Sequence, residues 1–210
     1  MSFIHVFEKQ VKSFEGKVNH MYLDSSPNDK NVTVGFGCLI SSADVAKKYP
    51  FLIRKDKSKA SDEDIVEDFN KVETAESGHE ASYYKDFTKC ILPENYMERL
   101  FFGRIHSFLR ELRIIYKNYD KFPEPAKIAL LEMIYALGAK KLQYMFKNFT
   151  AAVRKRDWVT VAKESQRKKI TVNDQNTPKR NEWVKKLLLK ASKIDKVKTD
   201  RLICRAKNRY

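Results

Sequence analysis

The stretch that most restricts this chain runs from Phe14 to Ile40, FEGKVNHMYLDSSPNDKNVTVGFGCLI. Within it Val32, Val34 and Phe36 alternate with Thr33, Gly35 and Gly37. That is the two-residue period of a half-buried strand. The segment SSPNDKN before it is dense in turn-forming residues. His20–Leu23 reads as the preceding strand, so the segment predicts a hairpin. Its two glycines leave one side of the second strand without side chains, and something can approach the backbone closely there. That reads as tight packing of the hairpin on the first helix or as the floor of a groove. Upstream, Phe3, Phe7, Val11 and Phe14 recur at helical spacing, and Gly16 is the stop signal. Glu15 therefore falls at the end of a helix, Asp24 at the end of a strand and Thr33 at the start of the next.

Strand-like runs are confined to the first 40 residues; the remainder reads as helical. Ser41 and Ser42 can cap a short helix through Tyr49, and Pro50 to Ala60 is a charged loop. Ser61 followed by Asp62, Glu63 and Asp64 starts a helix that runs to about Glu76, with its acids on the positive end of the helix dipole. Gly78 breaks it, and a further helix is expected from Glu80 to Cys90. Pro93 opens a long helix whose stripe is Tyr96, Leu100, Ile105, Phe108, Leu109, Leu112, Tyr116 and Tyr119. Its length suits a link between two lobes. Ile128 to Leu137 is apolar on almost every side, as in the buried centre of an all-α bundle, and Gly138 caps it. Lys140–Arg156 and Asp157–Lys169 read as amphipathic helices with Phe149 and Trp158 in the core. After the loop ITVNDQN, Thr177 caps a helix with Pro178 in its first turn, and Trp183, Leu187 and Leu188 face inward. The expected fold class is α+β, mostly α. The last 18 residues are either a docked helix or a frayed tail.

Charge narrows the partners. The net charge is +15, and residues 151–210 carry 19 Lys and Arg against 6 Asp and Glu, a net of +13. Such a field favours a polyanion: nucleic acid, an anionic membrane surface or bacterial wall polymers. Cys38, Cys90 and Cys204 are odd in number and widely spaced, which argues against a disulfide framework. The four histidines show no metal-ligand spacing, so neither a metal nor another cofactor is expected. No apolar run approaches the roughly 18 residues of a membrane span. The start, MSFIHVFEKQVKSFEG, lacks the basic and apolar regions of a signal peptide. The expectation is synthesis in the cytoplasm and action elsewhere only if another system carries the protein there.

Two carboxylates and a hydroxyl on a helix-plus-hairpin suit hydrolysis of a sugar bond. That reaction needs one carboxyl to protonate the leaving oxygen and a second group to activate water or attack the sugar. Glu15, at a helix end that can be half-buried, suits the acid, because desolvation keeps a carboxyl protonated. Asp24 opens onto the turn, where it can stay ionised, and Thr33 could hold a water beside it. The plainer alternative is two surface charges and a strand residue.

The joint pattern of Phe-Glu-Gly, Tyr-x-Asp and Thr-x-Gly-x-Gly resembles the catalytic hairpin of the bacteriophage-type lysozymes, the muramidase family typified by the T-even phage enzyme. EMIYALG (Glu132 to Gly138) resembles that family's central buried helix. Lys155-Arg156-Asp157-Trp158 resembles its basic turn, and NDQNTPKR (Asn173 to Arg180) its loop ending in Thr-Pro and an arginine. The matching pieces fall in family order across roughly the first 40 residues and 120 to 192. The resemblance implies a lysozyme-like two-lobe fold. Its parts would be a β-hairpin lobe over 1–92, expanded at 41–92, a linking helix over 93–119 and a basic helical lobe over 120–210. It implies Glu15 as general acid, Asp24 as the carboxylate that directs the attacking water, and Thr33 as the hydroxyl that shares that water. It also implies inversion at the sugar, Tyr22, Leu39 and Tyr135 as cleft-lining side chains, and Arg180 as an arginine pairing with the catalytic glutamate. Gly35 and Gly37 match the hairpin glycines. The sequence departs from the pattern in a turn roughly three residues longer, in Cys38 where a histidine is common, in Ala136 where the family has an amide, and in the expansion at 41–92.

The leading expectation is thus a monomeric peptidoglycan hydrolase cleaving the β-1,4 bond between N-acetylmuramic acid and N-acetylglucosamine, with no nucleic acid partner and no stable membrane insertion. It would act in the periplasm or wall as an endolysin, or as a delivered antibacterial effector that needs an immunity protein. The alternative is a non-catalytic basic module that binds peptidoglycan or nucleic acid.

Overall fold

Helix α1, Phe3–Glu15, forms on the predicted stripe with Phe7 and Val11 fully buried, and it stops before Gly16. In this computed structural model residues 2–24, 30–168 and 176–207 are described, with side chains as far as 197. Most of the hairpin turn, most of the ITVNDQN loop and the Cys204 side chain lie outside them. The protein is mostly helical with small antiparallel sheets, an α+β architecture. It divides into two units. A sheet unit spans Lys12–Arg104, and a helical unit holds 2–11, 105–168 and 176–207. The divisions fall inside α1 and inside α4, Glu94–Ile115.

In the sheet unit, β1 (Val18–Leu23), β2 (Val32–Gly35) and β3 (Cys38–Leu39) form one antiparallel sheet in that order. Tyr22 lies opposite Thr33, and Thr33 opposite Leu39. The third strand was not anticipated, because two residues carry no period. Every residue of β2 is buried, so this strand is covered on both faces and not half-buried as its alternation predicts. Leu52–Ile53 (β4) pairs with Cys90–Ile91 (β5) in a second ladder, which corrects the expectation that strands end near residue 40. These strands too are shorter than any periodicity can reveal.

Ser42 caps α2 (Ala43–Ala46), which is shorter than expected. Ser61 and Asp64 form a reciprocal capping box at the start of α3 (Asp62–Thr74), as the acidic start predicts. Asp68 of α3 is 1% exposed, and its Oδ2 accepts from the backbone N–H of Lys89 (2.9 Å) and Cys90 (2.7 Å), tying helix to ladder. The segment expected as an α-helix from Glu80 is instead a 3₁₀ helix, Ala81–Phe87. Long-range bonds set its shape: His20 Nε2 to the Ala81 carbonyl at 2.8 Å, and Tyr84 Oη to the Glu76 carbonyl at 2.8 Å. The first half of α4 buries Met97 and Phe101, not the expected Tyr96 and Leu100, which are half-buried.

In the helical unit, α4 ends at Ile115, short of the expected end at residue 119, and Tyr119 sits in a separate 3₁₀ turn. Helix α5 (Glu124–Tyr144) is interrupted at Gly138, whose φ of 73° and ψ of 160° are non-helical. A side chain would be strained there, so glycine ends the buried part as predicted. Residues 128–135 are buried on every side. The stretch expected as one helix to Arg156 breaks before α6 (Lys147–Lys155), which ends on Arg156 in the left-handed region. Asp157 caps α7 (Trp158–Glu164), and Phe149 and Trp158 are 1% and 2% exposed, in the core as expected. Helix α8 (Asn176–Lys207) starts before the expected Thr177 cap. It buries Asn181, Val184, Leu188 and Ala191, while Trp183 and Leu187 are half-buried. Among the described residues no helix is long and apolar enough to cross a membrane.

Candidate active site

The site is assembled within the sheet unit by three local constraints. The last turn of α1 is fastened to α4 by Lys12, whose Nζ meets Glu98 at 2.6 and 2.8 Å. The same ammonium sits 5.1 Å from the Phe36 ring centre and 5.3 Å from that of Phe101, so cation–π attraction adds to the ion pair. Glu15 is half-buried, three residues further on. At the β2–β3 connection Gly37 has φ of 72°. A β-carbon built on Gly37 would lie 3.1 Å from Glu15 Oε2, 3.7 Å from its carboxyl carbon and 3.8 Å from Arg104 Nη1. A β-carbon there would crowd the Glu15 carboxylate and would be strained at this positive φ, so glycine suits the close approach.

The two hairpin glycines therefore do different things. A β-carbon on Gly35 would meet the Met97 side chain at 3.4 Å, which is helix packing. Gly37 faces the carboxylate. The close approach to the first helix is therefore at Gly37, against Glu15 at the end of α1, while Gly35 packs on α4 instead.

The sheet register gathers the other residues. Tyr22, Thr33 and Leu39 form one row across the three strands. The Asp24 N–H donates to the Asn31 carbonyl at 3.0 Å, so Asp24 faces Asn31. Alternation then puts Asp24 on the same face as Tyr22, diagonal to Thr33. The longer turn leaves Thr33 in register with Tyr22. Thr33 is 5% exposed, and its hydroxyl donates to the Asn31 carbonyl at 3.1 Å. Asp24 is exposed, and Leu39 is 52% exposed.

Two pKa shifts report the local electrostatics. Burial raises that of the Tyr22 hydroxyl, and the charges of Glu15 and Asp24 raise it further; Arg104 opposes them. Tyr22 is therefore a neutral phenol, able to donate a hydrogen bond. Burial also pushes the Cys38 thiol up, with Arg104 pulling it back by charge and by a hydrogen bond. A buried neutral thiol is a poor nucleophile, which removes Cys38 as an attacking group.

Arg104 is the residue that sequence reasoning missed. Its Nη1 donates to the Gly37 carbonyl. The available signal was its place in α4: positions 97, 101, 104 and 108 share a helical face, so an arginine stands on an otherwise apolar stripe.

Tyr135 and Arg180 belong to the helical unit. Tyr135 is 3% exposed, and its ring meets those of Phe7 (5.7 Å) and Phe108 (6.0 Å) edge-on, the setting of a core residue. Arg180 Nε meets Glu132 Oε1 at 2.6 Å and its Nη2 meets Oε2 at 3.2 Å. Arg167 Nη1 reaches the same Oε1 at 3.0 Å. Glu132 is wholly buried, so its charge requires these guanidinium partners. Asn181 completes the cluster: its Oδ1 accepts from Arg167 Nε at 2.9 Å, and its Nδ2 donates to the Arg167 carbonyl at 2.8 Å. Among the described residues no group of three His, Cys, Asp or Glu side chains is placed to hold a metal ion. No known family model matches the chain, and no curated protein matches it.

Proposed function

We propose that this protein is an inverting N-acetylmuramidase of lysozyme-like two-lobe design. In this reading it cleaves the β-1,4 bond between N-acetylmuramic acid and N-acetylglucosamine in peptidoglycan. The observation that carries the reading is the Glu15 carboxylate resting against Gly37, on the sheet whose register aligns Asp24, Tyr22 and Thr33 on one face. Glu15 donates its proton to the glycosidic oxygen. Asp24 accepts a proton from the water that attacks the anomeric carbon from the opposite side. The one hydroxyl proton of Thr33 goes to the Asn31 carbonyl, so Thr33 offers the water only lone pairs. A water donating one hydrogen to Asp24 and the other to Thr33 turns its own lone pair toward the sugar. Exposed Leu39 provides an apolar edge for the saccharide. The basic chain end, with its net of +13 over 151–210, attracts anionic wall polymers.

Glu15→Gln keeps the shape of the side chain and removes its proton. It lowers clearing of purified peptidoglycan by about 10²–10⁴-fold, and normal clearing by this variant ends the assignment. Proton NMR during early turnover distinguishes the stereochemistry: the product anomer is opposite to that of the substrate, and retention contradicts the role given to the water. The excess positive charge also supports a second reading, a non-catalytic binding module for nucleic acid or peptidoglycan. A salt-dependent shift of DNA by a protein that leaves peptidoglycan intact favours it.

A further inference from the structure

Arg104 holds the turn beneath Glu15. Arg104 Nη1 donates to the Gly37 carbonyl, and its positive charge acts on the thiol of Cys38, the next residue of the turn. Nη1 and Glu15 Oε2 lie 3.8 and 3.1 Å from the same point above the Gly37 Cα, so they are within about 7 Å of each other. Tyr22, opposite Thr33 in the sheet, feels the charges of Glu15, Asp24, Cys38 and Arg104 together. The backbone of Arg104 is fixed by helix α4, whose buried Phe101 packs edge-on against Phe36 at 5.4 Å, so the guanidinium projects from a packed helix.

We propose that Arg104 is the positioning residue of this site: its guanidinium pins the Gly37–Cys38 turn and holds the Glu15 carboxylate against it. The proposal builds on the muramidase reading, since the carboxylate so held is the general acid. A lysine there carries the charge but lacks the planar fork that can bond a carbonyl and a second acceptor at once. Loss of the fork lets the turn and the carboxylate drift, and displacements near 1 Å at a reacting group cost about 10²-fold in rate. Substrate affinity, which depends on the sugar-binding surfaces, changes little.

The test uses the full chain and two independent readouts. Arg104→Met lowers kcat for soluble peptidoglycan fragments at least about 10-fold with KM within about 2-fold, and Arg104→Lys falls between it and wild type. Separately, thermal unfolding is compared in a cycle of Glu15→Gln and Arg104→Met. The Tm shift caused by Glu15→Gln differs by about 2 °C or more between the two backgrounds if Arg104 holds the carboxylate. Equal Tm shifts in the two backgrounds overturn the proposal, as does a folded Arg104→Met variant with wild-type kcat. If the wild-type protein cleaves no peptidoglycan, the muramidase reading falls, and the thermal cycle alone decides whether Arg104 holds Glu15. Should Arg104→Met fail to fold, Arg104→Gln takes its place in both experiments.

Discussion

Two glutamates in two units of this protein are set beside arginines to different ends. In the helical unit Glu132 has no exposed surface, and Arg167 and Arg180 bind its oxygens at 2.6–3.2 Å. In the sheet unit Glu15 is half-buried and lies against a bare glycine. The first arrangement encloses a charge inside a core; the second presents a half-buried carboxylate against a turn whose glycine carries no side chain. A carboxylate beside a guanidinium is therefore not in itself a sign of catalysis. Exposure and the bare backbone next to Glu15 make it the better candidate.

The comparison can be broken most severely by exchanging phenotypes. Glu15→Gln lowers peptidoglycan clearing by about 10²–10⁴-fold and costs no more than about 1 kcal/mol in urea unfolding. Glu132→Ala leaves two buried guanidinium groups without their carboxylate and costs about 3–5 kcal/mol in urea unfolding. A stable Glu132→Ala protein, or a strongly destabilised Glu15→Gln, means the two roles have been assigned the wrong way round.

The glycines sharpen the contrast at a smaller scale. Gly37→Ala places a β-carbon 3.1 Å from Glu15 Oε2 at a positive φ. It lowers kcat by about 10–100-fold and stability by about 1–2 kcal/mol. Gly35→Ala has similar backbone strain at φ of 70°, but its nearest neighbour is the Met97 side chain, at 3.4 Å. Its main effect is on the melting temperature, and its loss of kcat is smaller. Equal losses of activity in the two variants mean that strain, not contact with the carboxylate, explains Gly37.

The smallest expected effect is on pH dependence. His20 is 7% exposed, and burial holds its pKa below the ordinary 6.5, opposed by its bond to the Ala81 carbonyl. Arg54 and Lys85 disfavour the charged ring further. The unfolded chain then binds a proton more readily than the folded one. The stabilisation is complete above pH 6.5 and is lost as pH falls through the lower folded value. Replacing His20 by Gln removes this contribution. The drop in Tm between pH 7.5 and pH 5 then becomes smaller, measured by calorimetry. An unchanged drop assigns the acid sensitivity to other groups.

The local grammar of this chain was legible. Phe7 and Val11 announce α1, Ser61 with Asp64 announces α3, and Gly138 ends the buried part of α5, because each signal lies within a few residues of its effect. The two-residue strands at Leu52 and Cys90 were hidden, since their paired residues lie 37 and 39 apart in the chain and neither strand has room for a period. The 3₁₀ helix at Ala81 was misread as α because distant bonds from His20 and Arg54 fix its carbonyls. At the site, local spacing puts Glu15 at a helix end and Asp24 and Thr33 on neighbouring strands, but the roles proposed for them rest on the family resemblance. Arg104 could not, because its bond to Gly37 joins residues 67 apart in the chain. Glu132 was read only as part of an apolar helix, although a charge in such a helix asks for buried partners.

The most direct test of the central claim is mass spectrometry of the fragments released from purified peptidoglycan, with borohydride reduction to mark new reducing ends. Muramidase action by Glu15 predicts that the wild-type protein releases fragments ending in reduced N-acetylmuramic acid and that Glu15→Gln, equally folded, releases none. Reducing N-acetylglucosamine ends, free peptides without cut glycan, or the same fragments from both proteins would contradict it.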